Sequence, residues 1–367
     1  MPVASRGRHT PPGCGTAGER ASLPSMRTVR LLPRLRWALS PVRARSDTAA
    51  AGSAAPFLTL ERSIGAREGE DARLWDTGAF AAEVYPDLPL ATSWRALGDA
   101  LRAGKLGNDA GMRVPGLAHQ AGDGKMLVRT VGVQCRSKGS LRSHILHQAL
   151  GDEGQHADGT GVASALLCVS GSHPLRRLPA LASFLPSSQD TLAIASALRR
   201  DGDLPSSLQL WAVTNPLIEA DATRLERKVE AGAEVVLTQP PLDWPSFERW
   251  LEDADRRGLL GATRLVVGVP MLSSGGNLAF WAQLCDAAGC DWTAGAVARW
   301  RQAEADMGGD EFKAWRMQQH EATLQRALAL PGVAGLHVMP LTQRARLDTL
   351  ELIRAGKLAA AAGAPAS

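Results

Sequence analysis

The stretch DATRLERKVEAGAEVVLTQ, residues 221–239, holds one complete unit of the architecture. Charged and apolar residues alternate at helical period over Asp221–Ala231, and Gly232 supplies the left-handed position at which such a helix stops. Val235-Val236-Leu237 then make a short apolar run, and it ends on the polar pair Thr238-Gln239. A run of that length, apolar on both faces, reads as a strand buried from both sides. Working outward, the same alternation gives strands at Met126–Gln134, Ala163–Gly171, Leu208–Pro216, Glu234–Gln239, Arg264–Pro270 and Gly335–Leu341. Between and after them lie helical patterns at Ser140–Leu150, Asp190–Arg200, Asp221–Ala231, Ser246–Arg257, Asn277–Ala288, Asp310–Leu330 and Arg344–Ala355. Asp190 and Ser246 are expected to cap their helices, with Gly258 ending the second of these. Phe57–Glu61 adds a seventh strand, and Ala81–Tyr85 is the best candidate for an eighth, whereas the Gly-rich stretch 104–124 reads as loop. Strands alternating with helices imply a parallel sheet with helical crossovers. The expected fold is therefore α/β, a (β/α)₈ TIM-type barrel, with an open doubly wound sheet as the alternative.

The chain has 367 residues, 45% hydrophobic and 21% charged, which is enough apolar side chain for a large core. Its net charge of +4 is unevenly spread. Residues 1–56 hold nine Arg, no Lys and only Glu19 and Asp47 as acids, a balance of +7, so the remaining 311 residues carry −3. A mildly acidic body lacks the footprint of a nucleic-acid binder. No run approaches eighteen apolar residues, so no membrane span is expected. The basic end, rich in Arg, Ser and Ala, has the composition of an organellar transit peptide, with Met26 as a second plausible start. We expect a disordered targeting segment and linker over 1–56, a single barrel domain over 57–356 and a flexible tail over 357–367. The expected destination is the mitochondrial matrix, with the chloroplast stroma as alternative. A homo-oligomer stays open.

Cys14, Cys135, Cys168, Cys285 and Cys290 form no C-x-x-C pair, and those after Cys14 read as reduced, buried core thiols. His144 and His147, one helical turn apart, and His156 beyond them read as a solvated or satisfied face rather than a metal site. Ser273-Ser274-Gly275-Gly276 reads as a tight turn, with an anion cradle as the alternative. The tryptophans from Trp244 to Trp315 fall on helix patterns and read as packing.

In either α/β architecture ligands lie at the carboxyl ends of the strands. The residues there are Glu61, the run Ser170-Gly171-Ser172-His173, Thr214-Asn215, Thr238-Gln239, Pro270–Asn277 and Pro340–Gln343. Amides and hydroxyls outnumber charges in this set. Such a site suits an organic cofactor that supplies its own reactivity better than a metal hydrolase.

The segment Leu225-Glu226-Arg227-Lys228-Val229-Glu230-Ala231-Gly232-Ala233, followed by a strand ending in Thr238-Gln239, resembles the methylenetetrahydrofolate reductases, whose pattern is L-x-R-K-V-x-A-G-A before a strand ending in T-Q. Val133-Gln134-Cys135, the turn at 170–173, Val267–Leu272 and Leu336–Thr342 follow the same order, so the resemblance spans roughly 126–356. It implies a barrel that binds FAD, takes electrons from NAD(P)H and reduces a folate-type one-carbon substrate. Gln239 matches the family glutamine that contacts substrate, and Glu61 the carboxylic acid that protonates the folate. Lys228 and Asp221 match the helix that helps hold FAD, while Ser170, Gly171, Ser172, His173 and Asn215 occupy the positions of its other flavin-binding turns.

The chain departs from the family at several of these points. Ser170-Gly171-Ser172 stands where the family has Arg-Gly-Asp, Arg62-Ser63-Ile64-Gly65 replaces Phe-Phe-Pro-Pro, and Pro240-Pro241 replaces an aromatic pair. Two functions follow as expectations. One is an FAD-dependent reductase with Glu61 and Gln239 as catalytic residues. The other is a degenerate barrel without redox activity that serves as a binding or assembly module.

Overall fold

A computed structural model describes residues 56–62, 68–86, 125–133, 138–151, 162–170 and 186–358. The chain divides into residues 1–52 and 53–367, and every described residue lies in the second unit. The expected targeting segment falls outside the described residues. Packing reaches slightly past the expected domain end, since Leu358 is buried and Lys357 pairs with Glu321.

Eight parallel strands close on themselves in sequence order: β1 (Phe57–Glu61), β2 (Ala82–Tyr85), β3 (Met126–Gly132), β4 (Ala165–Val169), β5 (Gln209–Thr214), β6 (Val235–Thr238), β7 (Arg264–Pro270) and β8 (Val333–Met339). This is a TIM barrel, and the open-sheet alternative is set aside because β8 pairs with β1 through Phe57–Leu60 and Gly335–Val338. The helices are α1 (Glu68–Trp75), α2 (Lys138–Leu150), α3 (Ser188–Asp201), α4 (Thr223–Glu230), α5 (Trp244–Arg256), α6 (Leu259–Ala262), α7 (Gly275–Leu284), α8 (Asp291–Asp306), α9 (Gly309–Leu328) and α10 (Gln343–Arg354).

Side chains alternate along each strand. Leu58 and Leu60 of β1, Leu166 of β4 and Leu336 and Val338 of β8 face the helical layer and join the main core. Phe57, Ala82, Val128, Trp211, Leu237 and Val266 fill the barrel interior. Trp211 is fully buried there, edge-on to Phe57 at 6.0 Å, and the Arg264 guanidinium lies 5.2 Å from the Phe57 ring. Burying a side chain of the Leu or Phe class contributes about 1.5–3 kcal/mol, so these layers hold the ring shut. Two glycines let strands approach each other. A Cβ at Gly335 would sit 1.8 Å from the Phe57 carbonyl oxygen, and one at Gly268 would sit 2.3 Å from that of Thr238.

The helix ends follow local chemistry, with two corrections to the expected caps. Asp190 is not the cap of α3; Ser187 is, its hydroxyl accepting the Asp190 amide at 3.1 Å while Asp190 accepts the Ser187 amide at 2.8 Å, a reciprocal capping box. Likewise α5 is capped at Asp243, with Ser246 in its first turn donating to that carboxylate. Gly232 and Gly258 adopt φ values of 104° and 72°, as helix-ending positions require.

Between β7 and β8 the chain inserts α8 as an additional helix. With α7 and α9 it forms a second apolar cluster around Leu278, Trp281, Trp300 and Phe312, which packs on Leu242 after β6 and Met339 of β8. Gly275 makes the join, since a Cβ there would meet Arg301 of α8 at 2.6 Å. Ser274 caps α7 by accepting the Asn277 amide, so the 273–276 turn serves a helix start. Cys290 is exposed, which corrects its expected burial, whereas Cys168 and Cys285 are buried.

Candidate active site

The barrel interior changes character along its axis. Its amino-terminal part is mainly apolar, with Gln209 accepting from the Trp211 indole and Arg264 against the Phe57 ring, whereas the inward positions nearer the carboxyl end include Thr59, Thr130, His337 and Glu61. Thr59 and His337 are direct register partners across the β1–β8 seam. The Thr59 hydroxyl lies 2.8 Å from His337 Nδ1, and His337 Nε2 lies 3.0 Å from Glu61 Oε2. With Glu61 ionised, Nε2–H donates to the carboxylate and Nδ1 accepts from the hydroxyl, so the neighbours set the tautomer. Thr59 and His337 are buried, while the Glu61 side chain keeps 19% of its surface exposed. The carboxylate is therefore anchored from below and reachable from the mouth. A carboxylate so held can take a proton on its free oxygen and pass it to a bound molecule.

On the opposite side of the mouth, two amides share one anchor. Asn215, after β5, donates through Nδ2 to the Cys285 carbonyl at 3.0 Å, and the Cys285 thiol lies 3.4 Å from Gln239 Oε1. Burial pushes the Cys285 thiol up to about 12, helped by Asp286, so it stays protonated and can donate. The end of α7 thereby orients Gln239, whose carboxamide is of a kind suited to a ligand.

The remaining sequence-predicted residues are not drawn into one place. Lys228 is buried; its Nζ donates to the Val213 carbonyl at 2.7 Å and lies 3.7 Å from Glu219, which in turn accepts from Thr214 at 2.7 Å. Desolvation lowers the lysine pKa, with Glu219 opposing. Asp221 is exposed, accepts the Thr223 amide at 2.9 Å and faces Arg257 at 3.9 Å in the outer helical layer. That amide contact, above all, holds its carboxyl below the usual range. Ser170 accepts the Ser188 amide at 3.0 Å and so steadies the start of α3. Gly171, Ser172 and His173 lie outside the described residues. As a test of a flavin site, an internally neutralised Lys228 and an Asp221 turned to α5 do not fit as anchors for a dinucleotide pyrophosphate.

Sequence reasoning missed His337. It was visible only as a polar residue inside the apolar run Leu336-His337-Val338, and parity alone could have placed it inward. Among the described residues no group of three or more His, Cys, Asp or Glu is arranged to hold a metal, and no helix is long and apolar enough to cross a membrane.

Comparison with known proteins adds little to this geometry. No protein-family model matches the chain. No curated protein matches it either. Among solved structures it is similar to a 2,3-dimethylmalate lyase of the PEP mutase/isocitrate lyase superfamily, at 14% identity over 83% of this chain and 92% of that one, TM-score 0.36. It is also similar to tryptophan synthase from M. tuberculosis (14% identity, 84% and 94% covered, TM-score 0.37). A third is an HpcH/HpaI aldolase from Desulfitobacterium hafniense DCB-2 (11%, 70% and 95%, 0.28). At these identities and scores the neighbours carry no argument about chemistry; the fold rests on the strand pairing itself.

Proposed function

We propose that the chain is a barrel enzyme working at the carboxyl end of its strands, with Glu61 as proton donor and Gln239 orienting the substrate. The observation that carries this reading is the Thr59–His337–Glu61 chain, three polar groups linked through the barrel seam with one carboxylate at the mouth. Of the chemistries to which the sequence points, reduction of a folate-type one-carbon substrate uses these groups most directly. Ring opening of such a substrate calls for a carboxylic acid at the pterin ring, and a carboxamide can hold that ring in place.

FAD, fed by NAD(P)H, is the electron carrier this reading implies, and it is supported by the resemblance around 221–239 alone. Because Lys228 and Asp221 do not fit its phosphates, no step is assigned through it. What the chain's own residues do is narrower. His337 holds the Glu61 carboxylate in one orientation, Thr59 holds His337, and Cys285 holds Gln239. The second reading, a barrel without redox activity acting as a binding module, is favoured by the internal use of Lys228.

Two measurements on the full chain separate the readings. The first is the visible spectrum after expression with riboflavin, where a stoichiometric flavin band supports the reductase. The second is NAD(P)H oxidation with a methylene-folate, where Glu61→Gln should lower kcat by about 10²–10⁴ while leaving the melting temperature in place. A colourless protein that takes up no added FAD and oxidises no NAD(P)H sinks the reductase and leaves the binding module.

A further inference from the structure

A cavity of about 220 Å³ lies between the loops after β6 and β7 and the helices α8 and α9. The loops give it flat apolar walls, chiefly Pro240, Pro241 and Trp244. The inserted helix supplies another wall from one of its faces, since Trp292, Ala296, Arg299 and Trp300 recur at i, i+4, i+7 and i+8. Ala296 and Trp300 are buried in the apolar cluster beneath, whereas Trp292 keeps 38% of its surface exposed and Arg299 is exposed as well. Polar groups enter from α9. Thr323 spends its hydroxyl hydrogen on the Gln319 carbonyl at 2.8 Å, while the half-buried Gln319 carboxamide makes no hydrogen bond among the described residues. His320 completes this side, but its Nε2 is buried against Asp348 at 3.7 Å and offers the cavity nothing.

Charge decides what such a cavity would hold. No Asp or Glu lines it, and Arg299 forms no ion pair among the described residues. The guanidinium therefore leaves a positive charge at the edge of a largely apolar slot, and a planar carboxylate is the small group that complements it. The apolar part sets the body of the ligand. Tryptophan faces gain from an aromatic ring laid against them, and the exposed Trp292 has such a face to cover. Apolar cavities of about 150 Å³ accept benzene, so this one has room for one ring and a short substituent.

We infer that the cavity is a binding site for a single-ring aromatic carboxylate, its ring against the tryptophan and proline faces and its carboxylate paired with Arg299. The Gln319 carboxamide is a second donor in the same lining. The inference concerns binding alone, so it is independent of the reaction at Glu61 and stands whether or not that reading survives.

Benzoate and benzamide, one ring with and without the charge, test it when each is titrated into the full chain and followed by ligand-observed NMR. Benzoate should bind saturably at one site per chain, and about fivefold more tightly than benzamide in low salt, the advantage expected of one exposed ion pair. Raising the salt should narrow that difference. Arg299→Gln should bring the two affinities together while leaving that for benzamide in place. Trp292→Ala should weaken both by about threefold to tenfold and keep the gap between them. Both side chains are exposed, so neither change removes a buried contact of the core. Absence of saturable benzoate binding to the unaltered chain, equal affinities for benzoate and benzamide, a benzoate advantage that survives Arg299→Gln, or affinities untouched by Trp292→Ala would each overturn the inference.

Discussion

Replacing Asp348 with Asn removes one charge from a pair that has almost no access to water. The side chains of Arg316 and Asp348 are 4% and 2% exposed, and two hydrogen bonds of 2.6 and 2.9 Å join them between α9 and α10. The amide keeps the shape and one acceptor but leaves the guanidinium charge uncompensated, and breaking a buried pair in this way costs about 3–5 kcal/mol. At about 2 °C per kcal/mol for a domain of this size, the midpoint of thermal unfolding should fall by roughly 6–10 °C. The loss should also depend on pH. Desolvation is the largest influence on Asp348 and pushes its carboxyl up, but His320 and Arg316 together outweigh it and hold the pKa below its ordinary value. A carboxyl depressed in the folded state contributes stability above its unfolded pKa of about 3.9 and loses it as pH falls through the folded value. The gap between wild type and Asp348→Asn should therefore be full at neutral pH and narrow below about pH 4. The double variant Arg316→Met with Asp348→Leu should recover most of the loss, because well-packed apolar side chains replace a buried pair at little cost. Circular dichroism melts at a fixed scan rate across pH 3–8 measure all of this. An Asp348→Asn melt indistinguishable from wild type at pH 7, or a double variant no better than the single one, would refute the reasoning.

Two further outcomes are expected. Lys228 is held below the ordinary lysine pKa, so the unfolded chain binds its proton more tightly and stability should rise with pH through the alkaline window up to about 10.4. Lys228→Met should flatten that rise in a pH series of melts, at a cost of about 3 kcal/mol that Glu219→Gln in the same chain largely offsets. Glycines should divide by their surroundings: Gly268→Ala forces a methyl against the Thr238 carbonyl and should unfold the barrel, whereas Gly295→Ala in α8 meets nothing within 4 Å and should gain about 1 kcal/mol in denaturant titration.

The order of strands and helices was legible because fully buried strands leave short Val- and Leu-rich runs with glycine and polar residues at their ends. Even β2, with four residues, fell within the expected Ala81–Tyr85. The inserted helix α8 was not legible: DWTAGAVARWRQAEAD buries little beyond Thr293, Ala296 and Trp300, so its apolar stripe is too thin to stand out. Closure of the sheet could not be read either, since strand periodicity is the same in an open and a closed sheet. Glu61 and Gln239 could be placed at the mouth in advance because each stands at the carboxyl end of a strand. His337 and the anchoring role of Cys285 were hidden because both depend on pairings across 276 and 46 residues of chain. Lys228 shows the opposite error, a cation that reads as a ligand anchor in sequence and is spent on Glu219 and a backbone carbonyl in the fold.

The seam between β1 and β8 has a bearing on how the protein comes to life. Thr59 and Glu61 are among the first residues of the barrel to be synthesised and His337 among the last, and neither half of the relay is complete alone. During synthesis the carboxylate waits, without its orienting partner, until the eighth strand arrives and the ring is joined. Any activity of Glu61 that depends on His337 is then a direct report of ring closure. A chain halted before residue 333 would keep seven strands and the whole 221–239 signature, yet leave Glu61 without its orienting partner.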